Sequence, residues 1–524
     1  MLRTVLAAAA ASAAAAAAAA AAGDVAVVLS SAAGEQWAPQ PALAWEADFS
    51  AARVVGVSTG ARKQAIMGFG GCMTDTSAYN AMVWMNASVR AQLVEAYWGA
   101  SGLGYTISRL HINSPDYAFE SYNYDNVTDD FALGHFDSSL AYDRQRVLPL
   151  AALASAAAAT PIRFFGSPWS PPAWMKKPCA CCHDMICSAA APCLRDDVPG
   201  GGSYREAWAE YIVKWVGAME AAGIKMWGLT AQNEPEAIQS AFESCAYSPT
   251  DMADFIVQHL GPALARSGYS NLALMGYDHN KMDALTWAQA LLGNATVRQF
   301  VSAFAVHWYD YGTSLALENV AAIRALLGPD AVLLNTEACY LEELVYGWRI
   351  GELYAADIIG DLNAGASGWL QWNMVLLTGD KYPNFRGGPN HDGTRSFGDP
   401  VLFEFNASGT QQLIFLPSYY IIGHLSKFAR PGARLVASGG AGTAAASKDY
   451  DDVRAYSLSQ KDSTDFLLAA AFVSEDGMTA SAAVANPTDA QADFKLLDSD
   501  AQGGPRAARA SLPAHSIATF TWAL

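Results

Sequence analysis

Short apolar runs recur along most of the chain, and each ends in polar, glycine or proline residues. Eight of them have the length and composition of β-strands, at residues 65–69, 105–110, 162–166, 226–230, 272–276, 303–307, 332–335 and 368–372. Longer stretches between them have helical periodicity, at residues 88–98, 143–158, 204–222, 249–266, 282–292, 316–327 and 344–364. Strands that alternate with helices are typical of a (β/α)₈ barrel, so the predicted fold class is α/β with a barrel over residues 63–430.

The two ends of the chain have a different pattern. Residues 45–60 and 432–524 contain short alternating runs without a long helical stretch between them, for example at 453–458, 466–473 and 517–522. This pattern predicts an all-β sandwich module built from residues 23–62 and 431–524, packed beside the barrel.

The first residues have the features of a targeting segment. A single positive charge at Arg3 precedes an alanine tract from Ala7 to Ala22, which predicts a signal peptide over residues 1–22; an uncleaved alanine-rich anchor is the alternative. Entry into the secretory pathway follows from a signal peptide, with a lysosome, a vacuole or the outside of the cell as the destination. Four sequons agree with export and give candidate glycosylation sites at Asn86, Asn126, Asn294 and Asn406.

Composition and charge narrow the possible functions. With 52% hydrophobic and 16% charged residues, the chain can bury a large core. Its 32 basic and 50 acidic side chains give a formal charge of −18, and no run of Lys and Arg occurs. A nucleic-acid partner is excluded, because such proteins need a dense basic surface.

Most of the eight cysteines fall in one segment. In an exported protein this predicts a loop held by disulfides, and we expect three bridges among the five loop cysteines and Cys245. The disulfide candidates are Cys179, Cys181, Cys182, Cys187, Cys193 and Cys245. Cys72 and Cys339 are then free and buried. A zinc site formed by Cys181, Cys182 and His183 is the alternative, although the paired spacing of structural zinc sites is missing.

Polar and aromatic residues follow the predicted strands at the end of the barrel where active sites occur. Glu234 follows the fourth strand and Glu337 follows the seventh, so the two carboxyls should face each other across the barrel mouth. Cleavage of a glycosidic bond needs a proton for the leaving oxygen and a negative charge on the other side of the sugar, which two such carboxyls supply. Asn233 can bind the sugar 2-hydroxyl in the transition state. Each residue alone is more often structural, but their joint placement at several strand ends indicates a glycosidase.

Several longer runs resemble the glucosylceramidases of glycoside hydrolase family 30. They are GFGGCMTD at 68–75, SPWSPPAW at 167–174, TAQNEP at 230–235, AVHWY at 305–309, TEAC at 336–339, WN at 372–373, GGPN at 387–390 and GHLSKF at 423–428. The resemblance implies a catalytic barrel with a β-sandwich and a retaining mechanism without a metal or organic cofactor. It also implies Glu234 as acid/base and Glu337 as nucleophile. By the same resemblance the glucose contacts are Asp116, Trp169, Asn233 and Trp372, with Arg109, His307 and Tyr309 supporting the nucleophile.

The resemblance further implies hydrolysis of glucosylceramide to glucose and ceramide. A glycolipid substrate implies transient contact with a membrane surface, and an activator protein is a possible partner. The cysteine segment, the short segment at 236–244 and the missing asparagine after the GGPN run depart from the family pattern at the cleft rim. These departures concern the aglycone and not the chemistry, and two alternatives stay open. One is another family-30 activity, such as a β-xylosidase or β-1,6-glucanase, and the other is a catalytically silent sugar-binding protein.

Overall fold

In the computed structural model, eight parallel strands close into a barrel. The structure describes residues 23–179, 184–186, 188–199, 201–238, 242–310, 315–340, 347–378, 399–406, 408–439 and 466–524. In chain order the barrel strands are Gly68–Cys72, Ile107–Ile112, Arg163–Pro168, Met226–Thr230, Ala273–Asn280, Val301–His307, Val332–Glu337 and Gly368–Asn373. We number them one to eight. Their inner side chains and Met67, which precedes the first strand, form an apolar core with Ile107, Phe165, Met275, Ala303, Ala305, Leu334 and Leu370.

Helices surround the barrel in the described part of the chain, and all of them except the first and the last lie where the periodicity predicts. They are Asp75–Tyr79, Ala87–Trp98, Val147–Ala157, Tyr204–Ala221, Pro249–Phe255, Gly261–Arg266, Lys281–Leu292, Leu317–Leu327, Trp348–Ala364 and Pro417–Ser426. The predicted helix at 249–266 contains a π-helical turn at Ile256–Leu260, which joins its two α-helical parts. Its start carries a capping box, in which Ser248 and Asp251 satisfy each other's backbone amides. Among the described residues, no helix has both the length and the hydropathy needed to cross a bilayer.

The predicted first strand is three residues too early. Residue Ala65 pairs with Arg434 in the other sheet, and the barrel strand begins at Gly68, whose φ is +132°. A residue with a side chain rarely adopts that angle, so Gly68 lets the chain turn from one sheet into the other. The apolar run at 65–69 therefore spans the junction between two sheets.

The chain ends form one large sheet, and the α/β fold class with a β module from both ends is confirmed. The ten strands are, in spatial order, Ala38–Leu43, Val25–Ser31, Ser516–Ala523, Thr479–Asn486, Leu468–Val473, Arg434–Gly439, Val54–Ala65, Ala492–Asp498, Arg506–Leu512 and Glu46–Ala47. Most neighbours are antiparallel, but Val54–Ala65 and Ala492–Asp498 run parallel. Strands far apart in this order share one apolar core, which includes Val27, Phe494 and Phe520, so the sheet folds over on itself. A small third sheet contains Leu376–Leu377, Val401–Phe405 and Gln411–Phe415.

Polar contacts join this sheet to the barrel helices. The imidazole of His424 lies between Ser30 Oγ at 2.9 Å and Thr519 Oγ1 at 3.0 Å. His515 contacts Glu352, on the helix before the eighth strand, at 2.8 Å. These contacts hold the β module against the side of the barrel.

The structure describes some of the cysteines that were predicted to form disulfides. Cys193 and Cys245 form a disulfide across 52 residues, and Cys179 is also disulfide-bonded. Cys72 and Cys339 are free and buried, as expected. Several predicted features lie outside the described residues. They are the disulfide candidates Cys181, Cys182 and Cys187, His183 of the alternative zinc site, the proposed strand at 453–458 and the signal peptide at 1–22.

Three of the four candidate glycosylation sites are exposed: Asn86, Asn126 and Asn294. Asn406 is half-buried and accepts hydrogen bonds from the turn that follows it. Glycosylation stays a prediction at all four sites.

Candidate active site

Several residues at the carboxyl ends of the barrel strands have unusual backbone conformations. Asn113, Glu234, Tyr277 and Asp278 all have positive φ angles, between +46° and +81°. Such angles cost about 1–2 kcal/mol for residues other than glycine, so the surrounding contacts must impose them. All four positions lie just after, or at the end of, strands two, four and five, which indicates a site built at this end of the barrel.

Glu337 ends the seventh strand and is held by two donors. The Arg109 guanidinium donates to Oε2 through Nη1, and the Tyr309 hydroxyl donates to Oε1 over 2.9 Å. Its side chain is 7% exposed, so one face remains accessible from the barrel mouth. Burial raises the pKa of Glu337 and the charge of Glu234 adds to the rise, whereas the charges of His307 and Arg109 oppose it.

Glu234 lies in the loop after the fourth strand and faces two imidazoles. Its Oε1 is 3.3 Å from Nδ1 of His307 and 3.4 Å from Nδ1 of His279. The backbone amide of Glu234 donates to the carbonyl of Asp278 over 3.0 Å, which fixes the loop against strand five. Burial alone would raise the pKa of Glu234, but the two imidazoles outweigh burial and hold the pKa below its usual range.

His307, at the end of the sixth strand, lies between the two carboxyls. Its Nδ1 faces Glu234, while its Nε2 is 3.1 Å from Asp278 and 3.9 Å from Glu337. Burial lowers the pKa of His307, but the nearby carboxylates of Glu337, Asp278 and Glu234 raise it to about 9. A single buried imidazole thus connects both predicted catalytic carboxyls.

Arg109 is fully buried and connects several predicted site residues. Besides Glu337, it donates to Asn233 Oδ1 at 2.7 Å and to Ser167 Oγ at 3.0 Å. Because the oxygen of the Asn233 amide faces Arg109, its NH₂ group is left to donate elsewhere, as binding a sugar hydroxyl would require.

Two tryptophans complete this side of the site. Trp169 and Trp372 stack with ring centroids 5.3 Å apart, and the Arg109 guanidinium lies 4.7 Å and 5.5 Å from their ring centroids. Flat aromatic surfaces with a cation behind them suit a sugar ring, which offers apolar C–H faces and hydroxyl edges.

Asp116 lies close enough to both glutamates to be affected by their charges. Burial raises its pKa well above the usual range, and the negative charges of Glu337 and Glu234 raise it further. The structure therefore gathers all nine predicted catalytic and substrate-binding residues into one connected region: Arg109, Asp116, Trp169, Asn233, Glu234, His307, Tyr309, Glu337 and Trp372.

Sequence reasoning missed Asp278, which is the most connected carboxylate of the site. Its Oδ2 accepts from Arg109 at 2.8 Å and from Ser167 at 3.0 Å, and its Oδ1 contacts His307 at 3.1 Å and accepts from Thr336 at 2.6 Å. Burial opposes ionisation, but the Arg109 guanidinium and His307 hold the pKa of Asp278 well below its usual range. The missed sequence feature was the polar run at 277–280, which ends strand five.

A family model described as the glycosyl hydrolase family 30 TIM-barrel domain matches residues 66–429. Putative glucosylceramidase 4 of Caenorhabditis elegans is 32% identical over 386 residues, which cover 72% of this chain and 70% of the relative. The lysosomal acid glucosylceramidase of Mus musculus is 30% identical over 398 residues, which cover 71% and 70%. An endo-1,6-beta-D-glucanase of Neurospora crassa is 26% identical over 396 residues, which cover 73% and 74%.

A solved structure, SrfJ from Salmonella typhimurium, matches with a TM-score of 0.77 at 26% identity, covering 95% of this chain and 99% of that one. The expected resemblance to glucosylceramidases is confirmed by the curated relatives. The match of the family model to most of the chain shows that this protein belongs to glycosyl hydrolase family 30.

Proposed function

We propose that the protein is a retaining β-glycosidase that hydrolyses the β-glucosidic bond of glucosylceramide, with Glu234 as acid/base and Glu337 as nucleophile. One observation carries the assignment of roles: the two carboxyls have different partners. Glu337 is held by a guanidinium and a phenol, which oppose the effect of burial and favour a carboxylate, whereas Glu234 is in contact with His307, which holds a proton beside it.

In the first step, Glu337 Oε1 or Oε2 attacks the anomeric carbon and the bond to the leaving oxygen breaks. The leaving oxygen takes a proton from Glu234. At rest this proton lies in the contact between Glu234 Oε1 and His307 Nδ1, and the raised pKa of His307 keeps it there at neutral pH. The products are a glucosyl ester on Glu337 and the free alcohol.

In the second step, Glu234 is a carboxylate and takes a proton from water. The water oxygen attacks the anomeric carbon, the ester bond to Glu337 breaks, and Glu337 is restored as a carboxylate next to Arg109. The sugar configuration is retained because each step inverts it once. No metal or organic cofactor takes part in these steps.

The relatives support the choice of glycolipid substrate. The glucosylceramidases of Caenorhabditis elegans and Mus musculus are 32% and 30% identical to this chain. A substrate embedded in a bilayer requires transient contact with a membrane surface, and an activator protein could present it. The proposed location is the lysosome, a vacuole or the outside of the cell, reached through the secretory pathway.

An endo-β-1,6-glucanase activity is the second candidate. The endo-1,6-beta-D-glucanase of Neurospora crassa is 26% identical over a similar share of the chain, which supports a β-1,6-glucan as the second candidate substrate. The two candidates differ in the substrate beyond the cleaved bond, and not in the roles of Glu234 and Glu337.

The test is product release from glucosylceramide in detergent and from a β-1,6-glucan, with Glu337→Gln and Glu234→Gln beside the wild-type enzyme. We expect glucose and ceramide from the glycolipid and no turnover by Glu337→Gln. Glu234→Gln should be slow on alkyl glucosides and much less impaired on activated aryl glucosides, which need little proton assistance. Release of product from the glucan alone would support the second candidate. Equal losses of activity on both kinds of glucoside would show that Glu234 is not the acid/base.

A further inference from the structure

Glu234 has a second imidazole neighbour that the proposed reaction does not use. His279 follows Asp278 at the end of strand five, and its side chain is 15% exposed. Its Nδ1 is buried and makes no hydrogen bond with the described part of the chain, although Glu234 Oε1 is 3.4 Å away. This nitrogen therefore faces the carboxylate of Glu234, but the two groups do not have the geometry of a hydrogen bond.

We propose that Glu234, His279 and His307 form a binding site for a divalent transition metal, with Zn²⁺ as the best fit, and that the bound ion inhibits the enzyme. One ligand atom from each residue lies within 4.8 Å of the others. The proposed ligands are Oε1 of Glu234 and Nδ1 of each histidine. The inhibition rests on the proposed function of Glu234, but metal binding does not.

Two of the three spacings between the proposed ligand atoms agree with a tetrahedral site, and the third is at most 4.8 Å. Ligands about 2.1 Å from a tetrahedral zinc ion lie about 3.4 Å from each other. The Glu234 oxygen is 3.3 Å from Nδ1 of His307 and 3.4 Å from Nδ1 of His279. Two nitrogens and one carboxylate oxygen leave the fourth position of the ion for water.

The residues around these ligands also suit a metal. Metal-bound histidines usually direct their second ring nitrogen to a carboxylate, which fixes the ring and makes it a better ligand. In His307 this nitrogen is Nε2, 3.1 Å from Asp278, and Asp278 is itself fixed by Thr336 at 2.6 Å. Imidazole ligands favour Zn²⁺, Cu²⁺ or Co²⁺ over Mg²⁺ and Ca²⁺, which prefer oxygen ligands.

A bound ion would inhibit the proposed reaction at one oxygen of Glu234. The metal occupies Oε1 of Glu234, the oxygen through which the proton for the leaving group passes. Glu234 can then neither donate a proton in the first step nor accept one in the second. Because both need the same oxygen of Glu234, substrate turnover and metal binding exclude each other.

Direct binding is tested by equilibrium dialysis of the full-length protein against Zn²⁺ and by visible absorption with Co²⁺, whose tetrahedral complexes absorb strongly. The variant is His279→Gln, with His259→Gln as the matched control, since His259 is a half-buried imidazole stacked on Phe255. A second control is His183→Gln, which removes the histidine next to Cys181 and Cys182. Thermal melting verifies that each variant is folded.

We expect one Zn²⁺ per chain, with affinity at least about tenfold weaker in His279→Gln and unchanged in both controls. A crystal soaked in Zn²⁺ should show an anomalous peak about 2.1 Å from the three ligand atoms. Unchanged binding in His279→Gln, or binding lost in His183→Gln, would overturn the site. Site-specific binding that leaves hydrolysis of alkyl glucosides unaffected would instead contradict the role of Glu234 and the inhibition, while leaving the metal site in place.

Discussion

Replacement of Asp278 by Asn probes the carboxylate that holds the site together. The aspartate has two acceptor oxygens, one facing Arg109 and Ser167 and the other facing His307 and Thr336. Asparagine supplies a single oxygen, so an NH₂ group must face one of these two sets of groups. The substitution also removes the negative charge that balances the buried guanidinium.

The expected loss follows from the contacts that one oxygen accepts. Hydrogen bonds to charged groups contribute about 1.5–3 kcal/mol each, so losing two costs about 3–6 kcal/mol, or about 10²- to 10⁴-fold in kcat/KM. If the NH₂ group faces His307, the ring must present Nε2 as an acceptor, so it is a neutral imidazole with its one proton on Nδ1. A neutral imidazole does not release that proton to Glu234, so the loss should be greatest on substrates with poor leaving groups.

The assay compares kcat/KM for alkyl β-glucosides with that for aryl β-glucosides of increasing leaving-group acidity. Asp143→Asn is the matched control, because Asp143 is a buried carboxyl outside the site that accepts a hydrogen bond from Tyr124 at 2.7 Å. Near-ultraviolet circular dichroism and thermal melting verify the fold of both variants. A wild-type kcat/KM in folded Asp278→Asn would refute the reasoning, and an equal loss on all substrates would refute the part that concerns the proton of His307.

Three further predictions concern single contacts. Tyr309→Phe removes the donor to Glu337 at 2.9 Å and should lower kcat/KM by about 10- to 150-fold on alkyl and aryl glucosides alike; a loss confined to alkyl glucosides would contradict this. Contacts with Glu352 and Asp489 raise the pKa of His515 from 6.5 to about 9, so they stabilise the fold fully below pH 6.5 and are lost as the pH rises through 9. His515→Gln should therefore make Tm less dependent on pH in this range. An unchanged dependence of Tm on pH would show that the contacts of His515 do not cause it. Cys245→Ser opens the disulfide across 52 residues and should cost about 2–4 kcal/mol in urea unfolding, so an unchanged midpoint would refute its structural role.

The barrel could be predicted because its pattern is local. Strands buried on both faces give short apolar runs, and amphipathic helices between them give a longer period, so both kinds of element show in the residues themselves. The fourth strand, Met226–Thr230, agrees at both ends with the predicted residues 226–230. The predicted helix at 204–222 ends within one residue of the observed Tyr204–Ala221.

The first strand was misplaced because its sequence has little strand propensity. Three of the five residues in Gly68–Cys72 are glycines, which are rare inside strands. In this barrel they are required by close packing: a Cβ on Gly70 would lie 2.0 Å from the carbonyl oxygen of Ile107 on the neighbouring strand. Close approach of two strands is a tertiary property, and neither strand's sequence contains it alone.

Asp278 and His279 were missed for a related reason. The predicted fifth strand stopped at residue 276, where the apolar run ends, but the observed strand continues to Asn280. Its last residues include two positive φ angles, at Tyr277 and Asp278, which place the Asp278 side chain in contact with Arg109. The rule that located Glu234 and Glu337 would have located Asp278 as well, had the polar end of strand five been included.

The distinct roles of Glu234 and Glu337 come from neighbours that are remote in sequence. The guanidinium that favours an ionised Glu337 comes from strand two, and the phenol comes from the residues after strand six. The imidazole that holds a proton beside Glu234 is positioned by Asp278, from strand five. Two identical side chains thus acquire opposite tasks because a closed barrel brings five strand ends together.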